Sequence, residues 1–208
     1  MNVLMINGSP HKKGCTYTAL AEVAKQLEEN GIETNIVHIG GKAIQGCTAC
    51  GGCSETSRCV FKNDRVNECI DLIKKADGLV IGSPVYYASA NGSLCSFLDR
   101  LFYAADAETF ALKPAAAVVS CRRGGASAAF DRLNKYFTIS SMPVVSSQYW
   151  NAVHGNTPEE VMLDLEGMQI MRTLGRNMAW LIKCIDYAKG TIPYPKQEES
   201  LATNFIRS

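Results

Sequence analysis

The chain has 208 residues, of which 47% are hydrophobic and 20% charged, and its formal net charge is +1. This length suits one globular domain with a sizeable core. The balanced charge gives no electrostatic reason to expect binding to nucleic acid or to an anionic membrane, and no apolar run approaches the roughly 20 residues of a membrane span. Nine cysteines without an export signal favour a cytoplasmic location and metal or redox roles over a disulfide scaffold.

Short apolar runs alternate with helical stripes along the chain, which predicts an α/β fold with a doubly wound, five-stranded parallel sheet and helices on both faces. The predicted strands are Met1–Ile6, Thr34–Ile39, Gly78–Gly82, Ala115–Ser120 and Pro143–Val145. The predicted helices are Thr16–Asn30, Arg65–Lys75, Gly92–Ala105, Ala126–Tyr136 and one long helix from the capping box at Thr157 to about Ala188. We assign residues 1–190 to this domain and residues 191–208 to a C-terminal tail at a surface or an oligomer interface.

Three loops follow the carboxyl ends of predicted strands, where doubly wound sheets bind their ligands. The first loop, Asn7–Thr16, reads NGSPHKKGCT and leads into a helix, whose first amides favour an anion. It is neither a Walker loop nor a G-x-G-x-x-G loop, so a single terminal phosphate is expected rather than a triphosphate or a dinucleotide. The alternative is a polar turn with solvated lysines. The side chains that could contribute donors or positive charge are Ser9, His11, Lys12, Lys13 and Thr16.

The second loop, Ser83–Asn91, reads SPVYYASAN. Pro84 stiffens the exit from the strand, and Tyr86 and Tyr87 could offer a flat face to a ring. The alternative is two tyrosines that belong to the core or its rim.

The third loop, Ser120–Gly125, reads SCRRGG. Its glycines allow the backbone close to a ligand, and Arg122 or Arg123 could face an electron-rich ring edge. The alternative is two solvated arginines. A fourth candidate element contains Trp150, Asn151 and His154, in which the tryptophan either packs or covers a ligand.

Four cysteines with the spacing C-x2-C-x2-C-x5-C lie in residues 44–62, a loop after the second strand that we call the cysteine loop. The opening C-x2-C-x2-C resembles that of bacterial ferredoxins and favours a 4Fe–4S cluster. The alternatives are a zinc site, for which the overlapping spacing is poor, and free thiols or a disulfide. The four residues are Cys47, Cys50, Cys53 and Cys59. The other cysteines within predicted elements are expected to be small core residues: Cys69, Cys95, Cys121 and Cys184.

Several of these runs together resemble the NADPH-dependent FMN reductase branch of the flavodoxin-like superfamily, and among its members the iron–sulfur flavoproteins of anaerobes. The family opens with N-G-S-P-R-x-x-G-N-T, against NGSPHKKGCT here, so His11 replaces the arginine and Cys15 the asparagine. The runs Pro84–Tyr87 and Arg123–Gly125 match the family's second and third loops. The segments Ala76–Gly78 and Phe97–Arg100 also resemble this family.

The resemblance implies a flavodoxin-like fold, tightly bound FMN, and a homodimer or homotetramer in which a neighbouring subunit helps to close the flavin site. It also implies a 4Fe–4S cluster on the four cysteines of the cysteine loop. The three loops and the resemblance together give the residues expected around FMN: Ser9, His11, Lys12, Lys13, Cys15, Thr16, Pro84, Val85, Tyr86, Tyr87, Asn91, Ser120, Arg122, Arg123, Gly124 and Gly125. No side-chain acid, base or nucleophile is expected.

The function expected from this resemblance is that of an NAD(P)H-dependent, FMN reductase-type oxidoreductase with NAD(P)H as co-substrate. Its electron acceptor would be a small molecule or a protein, with ferredoxin as a candidate partner. The alternatives are an electron carrier that docks only protein partners and a redox sensor. Carriers are usually strongly acidic, so the net charge of +1 counts against the first alternative.

Overall fold

The computed structural model describes residues 1–196, 198, 199, 201 and 203. Its strands are β1 (Asn2–Asn7), β2 (Glu33–His38), β3 (Gly78–Tyr86), β4 (Ser89–Ala90), β5 (Ala115–Cys121) and β6 (Ala152–His154). Its helices are α1 (Cys15–Glu29), α2 (Val66–Lys75), α3 (Gly92–Ala104), α4 (Ala126–Ile139), α5 (Pro158–Leu163) and α6 (Leu165–Ala188), with one 3-10 turn at Ala107–Thr109.

Five parallel strands form the sheet in the order β2-β1-β3-β5-β6, and the short β4 pairs antiparallel with the end of β3. The inner strand β1 is buried on both faces: Leu4 and Ile6 belong to one hydrophobic core, and Val3 and Met5 to the other. Such a continuous apolar run is typical of a parallel strand covered by helices on both sides. The predicted five-stranded, doubly wound parallel sheet is therefore confirmed.

The fifth parallel strand lies later in the chain than predicted. Around Pro143–Val145 the chain makes only an isolated bridge, Val144 with Ala115, and the strand β6 pairs with the other end of β5. Between the two contacts the chain bends outward, where the Ser147 hydroxyl donates to the Tyr149 carbonyl (2.6 Å). The polar sequence between Val145 and Trp150 favours the surface, so the apolar run that we took for the strand was too short to continue there.

The predicted long C-terminal helix is interrupted at Asp164. The start agrees with the predicted cap, because Thr157 Oγ1 accepts a hydrogen bond from the Glu160 amide (3.3 Å). At Asp164, however, the backbone leaves the helical conformation (ψ 81°), and the carboxylate caps α6 by accepting from the Gly167 amide (2.9 Å). The other carboxylate oxygen accepts from the His154 amide (2.7 Å), so this break ties the helix to β6.

The C-terminal tail follows α6 without further regular structure in the residues that the structure describes. Ile192, Tyr194 and the two prolines near them border a cavity of about 280 Å³ against α6. Residues 197, 200, 202 and 204–208 of the predicted tail lie outside the described residues, and the boundary at residue 190 stays a prediction. Within the described ranges, no helix has both the length and the apolar character needed to cross a membrane.

Gly175 allows α6 to pack closely on α1, and we expect Gly175→Ala to destabilise the protein. A Cβ at this position would lie 2.6 Å from the Gln26 Cβ and 2.8 Å from the Val23 carbonyl oxygen. Alanine gains about 1 kcal/mol over glycine within a helix, but overpacking costs about 1–3 kcal/mol, so the free energy of unfolding should fall by about 1 kcal/mol. Equilibrium urea denaturation measures it.

The matched control is Gly92→Ala in α3, where a Cβ would enter open space. Its free energy of unfolding should be unchanged or higher. Equal or greater stability of Gly175→Ala than of the wild type would contradict the proposed close contact.

Candidate functional site

The carboxyl ends of β1, β3 and β5 open onto one edge of the sheet. In this strand order the chain leaves β1 towards β2 on one side, while β3 lies on the other, which makes the β1/β3 boundary the topological switch point. The three loops that sequence analysis singled out all begin at this edge. The structure thus brings the predicted site together in outline.

The side chain of Asn7 closes the first loop into a compact turn. Its Nδ2 donates to the Lys12 carbonyl (3.1 Å), and its Oδ1 accepts from the Ser9 amide (3.1 Å). The buried Ser9 hydroxyl oxygen in turn accepts from the His11 amide (3.1 Å). Gly14, the residue before α1, has no side chain to cap the helix, so the amides of the first turn are open to an anion.

Two neighbouring strands hold the first loop from the sides. The Gly8 amide donates to the Gly82 carbonyl in the middle of β3 (2.9 Å), and the His38 Nε2 lies 2.8 Å from the Ser9 carbonyl oxygen. A Cβ on Gly40 would lie 2.1 Å from that same carbonyl oxygen, so only glycine fits there. Sequence reasoning missed these three supports, since no motif indicates them.

The ionisable side chains of the first loop lie at its rim. His11, Lys12 and Lys13 are exposed. The Cys15 thiol donates to the Gly155 carbonyl (3.8 Å) on the side of α5, and burial raises the pKa of this thiol. Cys15 is therefore a neutral group at neutral pH and not a reactive thiolate.

Thr16 connects the first loop to the third. It is buried, and its Oγ1 lies 2.8 Å from the Ser120 Oγ at the end of β5. These two hydroxyls come from positions 104 residues apart, and their contact spans the sheet edge over β3. Two predicted site residues are thus adjacent in space.

The second loop is a tight hairpin in which β3 turns back into β4. Tyr87 and Ala88 have positive φ angles of 50° and 56°, which side-chain-bearing residues adopt at an energetic cost and most often at functional sites. Tyr86 and Tyr87 are exposed, and no part of the Tyr87 side chain is buried. The structure therefore places the two tyrosines at the surface of the site rather than in the core.

Asn91, a predicted cofactor contact, caps helix α3. Its Oδ1 accepts from the amides of Ser93 (2.8 Å) and Leu94 (3.3 Å). Its own amide donates to the Ser83 hydroxyl (2.9 Å). The side chain thus positions the second loop, a role that the sequence position before a helix would have indicated.

The third loop touches the second at a glycine. Gly125 has a φ of 90°, and a Cβ there would lie 2.8 Å from the Ala88 Cα. Arg122, Arg123 and Gly124 are exposed towards the same edge.

A cavity of about 290 Å³ lies between the third loop and α6, beside the three-loop edge. Trp150 borders it, is about half exposed, and has its ring centroid 5.2 Å from that of Tyr149. Asn151 is instead buried and donates to the Ala117 carbonyl (3.0 Å). Trp150 therefore lies at the rim of a cavity next to the third loop, whereas the Asn151 side chain binds the main chain of β5.

The cysteine loop leaves the sheet after β2 and contains no helix or strand. All four of its cysteines border one small cavity against α3, and all nine cysteines of the chain are free thiols. Among the described residues, no three histidine, cysteine or carboxylate side chains are gathered closely enough to hold a single metal ion. A four-thiolate donor set suits a 4Fe–4S cluster, in which each thiolate binds a different iron.

Cys59 is the most firmly held of the four. The Asn67 side chain accepts from the Cys59 amide (2.9 Å) and donates to its carbonyl (2.8 Å). The buried Arg100 of α3 donates from Nε to the Cys59 Sγ (3.1 Å). Sequence reasoning missed both roles, although an arginine between Phe97 and Ala104 on the apolar face of a helix is an unusual placement.

Three of the four cysteines that were expected in the core agree with that prediction in whole or in part. Cys69 is fully buried, and burial raises its pKa to about 12. Cys121 is buried as well, and Cys95 is partly buried against the core. Cys184 was predicted wrongly: it is exposed, because it lies on the face of α6 opposite the buried stripe that includes Met178.

Comparison with known proteins agrees with this geometry. The family model described as NADPH-dependent FMN reductase matches residues 1–157. An iron-sulfur flavoprotein of Methanocaldococcus jannaschii is 31% identical over 192 residues, which cover 89% of this chain and 99% of that protein. An iron-sulfur flavoprotein of Methanosarcina thermophila is 30% identical over 190 residues, covering 89% and 97%. An NADPH azoreductase of a Bacillus species is 29% identical over 164 residues, covering 79% and 77%.

Solved structures with the same fold include RosB, crystallised with a bound 8-demethyl-8-formylriboflavin-5'-phosphate intermediate (TM-score 0.68, 16% identity, 100% of this chain and 95% of that chain). An archaeal flavodoxin is also similar (TM-score 0.59, 15% identity, 88% and 99%). These structures establish the flavodoxin-like fold, and the sequence matches establish the family. The chain belongs to the NADPH-dependent FMN reductase family and is an FMN-dependent oxidoreductase.

Proposed function

We propose that this protein binds FMN across its three loops, accepts electrons from NAD(P)H, and carries a 4Fe–4S cluster in the cysteine loop beside the flavin. The observation that carries the proposal is the convergence of the three loops on the β1/β3 edge beside the uncapped start of α1. When bound, FMN supplies the redox chemistry, and the protein supplies position and electrostatics.

The first loop has the features needed to bind the FMN phosphate. The first-turn amides of α1 can donate to an anion, and the positive end of the helix favours negative charge. Because the Ser9 hydroxyl oxygen accepts from a backbone amide, its own proton remains free to donate. Lys12 and Lys13 add positive charge at the rim. His11 can contribute a ring nitrogen in place of the family's arginine.

The second and third loops would hold the flavin ring. Pro84 and Val85 lead into the turn, and the exposed Tyr86 and Tyr87 offer apolar faces with polar tips. Gly124 and Gly125 let the backbone approach a ring closely, and Arg122 and Arg123 can donate to its polar edge. Ser120 and Thr16 link this end of the site to the phosphate end.

The cysteine loop would hold the cluster through Cys47, Cys50, Cys53 and Cys59. The support is the shared cavity of the four thiols, the four-thiolate donor set and the relatives named iron-sulfur flavoproteins. A cluster supplies single-electron transfer when bound. The chain's own part is to fix Cys59 through Asn67 and Arg100.

NAD(P)H is the donor that we propose, on the ground of the family and of a relative named NADPH azoreductase. The acceptor would be a small aromatic molecule or a protein such as ferredoxin. We also propose a homodimer or homotetramer. Exposed apolar side chains on α6, among them Trp180 and Tyr187, agree with a partner subunit.

The test of the whole proposal is anaerobic purification followed by assay of FMN, iron and sulfide per chain. We expect one FMN with about four irons and about four sulfides. Addition of NADPH or NADH should then bleach the flavin absorbance, whereas an electron carrier would respond only to a reduced protein partner. A protein that takes up no FMN when it is added would overturn the flavin site.

Ser9→Ala tests the phosphate site separately from the ring site. A hydrogen bond to a charged group contributes about 1.5–3 kcal/mol, so the Kd for FMN should rise about tenfold or more, while the Kd for riboflavin, which has no phosphate, stays unchanged. Flavin fluorescence quenching on addition of apoprotein measures both constants.

Two further variants complete this comparison. Tyr86→Ala should raise the Kd for FMN and the Kd for riboflavin by the same factor, because it removes a contact with the ring that both ligands share. Thr138→Ala, which removes an exposed hydroxyl at the end of α4, should change neither dissociation constant. Equal losses for FMN and riboflavin in Ser9→Ala would place the phosphate elsewhere.

Single alanine substitutions in the cysteine loop should abolish or greatly reduce bound iron. Cys47→Ala, Cys50→Ala, Cys53→Ala and Cys59→Ala each remove one of four cluster ligands, and the FMN content should remain that of the wild type. Iron and sulfide assays on anaerobic protein give the measurement. Cys184→Ala, on the exposed face of α6, is the matched control and should keep its iron.

Flavin without iron in the wild type would contradict the cluster and leave the FMN site standing. Full iron content in any two of the four variants would show that the cysteine loop is not the cluster site.

A further inference from the structure

Arg100 is the charged residue with the least exposure in the described part of the chain. Its side chain is 1% exposed, and it lies on α3, among the leucines and phenylalanines that face the core. Burial of a guanidinium is unfavourable unless each of its donors is satisfied. A charge in this position therefore requires an explanation in the groups that it meets.

The five N–H donors of Arg100 each find a partner. Nε donates to the Cys59 Sγ (3.1 Å), one terminal nitrogen donates to the Gln45 carbonyl (3.2 Å), and the other to the Phe61 carbonyl (3.3 Å). The two terminal nitrogens also bind the two carboxylate oxygens of Asp64. The guanidinium lies over the Phe61 ring, 5.1 Å from its centroid.

These partners lie at both ends of the cysteine loop. Gln45 precedes its first cysteine, and Cys59 and Phe61 end it. Asp64 joins the loop to α2, because its carboxylate also accepts from the Val66 amide (3.1 Å). Arg100 therefore closes the loop from one side, and it borders the same small cavity as the four cysteines.

We propose that Arg100 is a positioning residue that fixes Cys59 and raises the reduction potential of the iron–sulfur cluster. The inference rests on the proposed function, since it requires a cluster on these four cysteines. Net charge and hydrogen bonds to the ligand sulfurs set the potential of such a cluster. Reduction adds one negative charge, which a buried guanidinium and an N–H donor to sulfur both stabilise. The Asp64 carboxylate has the opposite effect.

The two members of the ion pair thus shift the potential in opposite directions, which a merely structural role would not produce. Arg100→Gln should lower the midpoint potential of the cluster, and Asp64→Asn should raise it. Asparagine keeps an oxygen that can accept from the Val66 amide, so this contact with the start of α2 survives. Arg100→Lys keeps the charge without the fork of donors and should lower the potential less than Arg100→Gln.

The experiment is an anaerobic redox titration of the holoprotein, with the cluster followed by electron paramagnetic resonance and the flavin by absorbance. Arg58→Gln is the matched control: Arg58 precedes Cys59 directly, but its side chain is 45% exposed and pairs with Asp71, so the cluster potential should not move. The flavin potential in each variant is an internal reference.

Opposite shifts in Arg100→Gln and Asp64→Asn, with an unchanged control, are the expected result. If Arg100→Gln loses its iron, an upward shift in Asp64→Asn still supports the proposal. An unchanged or lowered potential in Asp64→Asn overturns it while the cluster itself stands. A wild type without iron overturns the cluster, and this inference with it, but leaves the FMN site intact.

Discussion

The pairing of β1 with β2 on one side and β3 on the other is the constraint on which the site depends. Asn7, the last residue of β1, lies in register with His38 of β2 and with Gly82 of β3. The first loop therefore leaves the sheet between the end of β2 and the middle of β3, and a residue of each strand binds it. Because the crossovers from β1 and β3 run to opposite faces, a crevice opens where the loops diverge. The uncapped start of α1 faces this crevice as a direct result of the topology.

The cysteine loop depends on a different kind of interaction. It has no regular structure of its own, so side chains from the neighbouring helices determine its course. Asn67 of α2 binds the main chain of Cys59, and Arg100 of α3 binds its sulfur and two loop carbonyls. By contrast, Cys47 and Cys50 are exposed. Arg100 thus holds both ends of the loop, and the segment with Cys47 and Cys50 between them faces solvent.

The sequence predicted the fold well where the apolar pattern was strong. Strands β1, β2, β3 and β5 and the first four helices begin and end within a few residues of their predicted bounds, because buried runs such as Val3–Ile6 have no other stable location. The sequence-based prediction was wrong where a single side chain or a long-range pairing determines the path of the backbone. The break at Asp164 follows from a carboxylate that caps the next helix, and β6 follows from a long-range pairing with β5 that Pro143–Val145 could not make in full.

For the candidate site, motifs located the three loops, but not the side chains that brace them. The contact of His38 with Ser9 joins residues 29 positions apart, for which local spacing gives no signal. The contacts of Asn7, Ser83 and Asn91 are local, and the Asn91 cap follows from a position before a helix, but the loop motifs do not contain them. For Arg100, the only signal in the sequence is a charged residue on the apolar face of a helix. Its partners are 36 to 55 residues away in sequence.

The close packing of α6 on α1 has a consequence for the crevice. Helices α1 and α6 lie side by side on the same face of the sheet, where Arg172 binds Glu22 (3.1 Å) and Arg176 binds Gln26 (2.8 Å). The α1 end of the crevice is thereby preorganised, whereas the side chains of Tyr86 and Tyr87 lie exposed in a turn. If FMN binds as proposed, ordering of the protein would cost little conformational entropy beside its phosphate and more beside its ring. Affinity would then be set at the rigid end, and the choice of what stacks on the ring at the adaptable end.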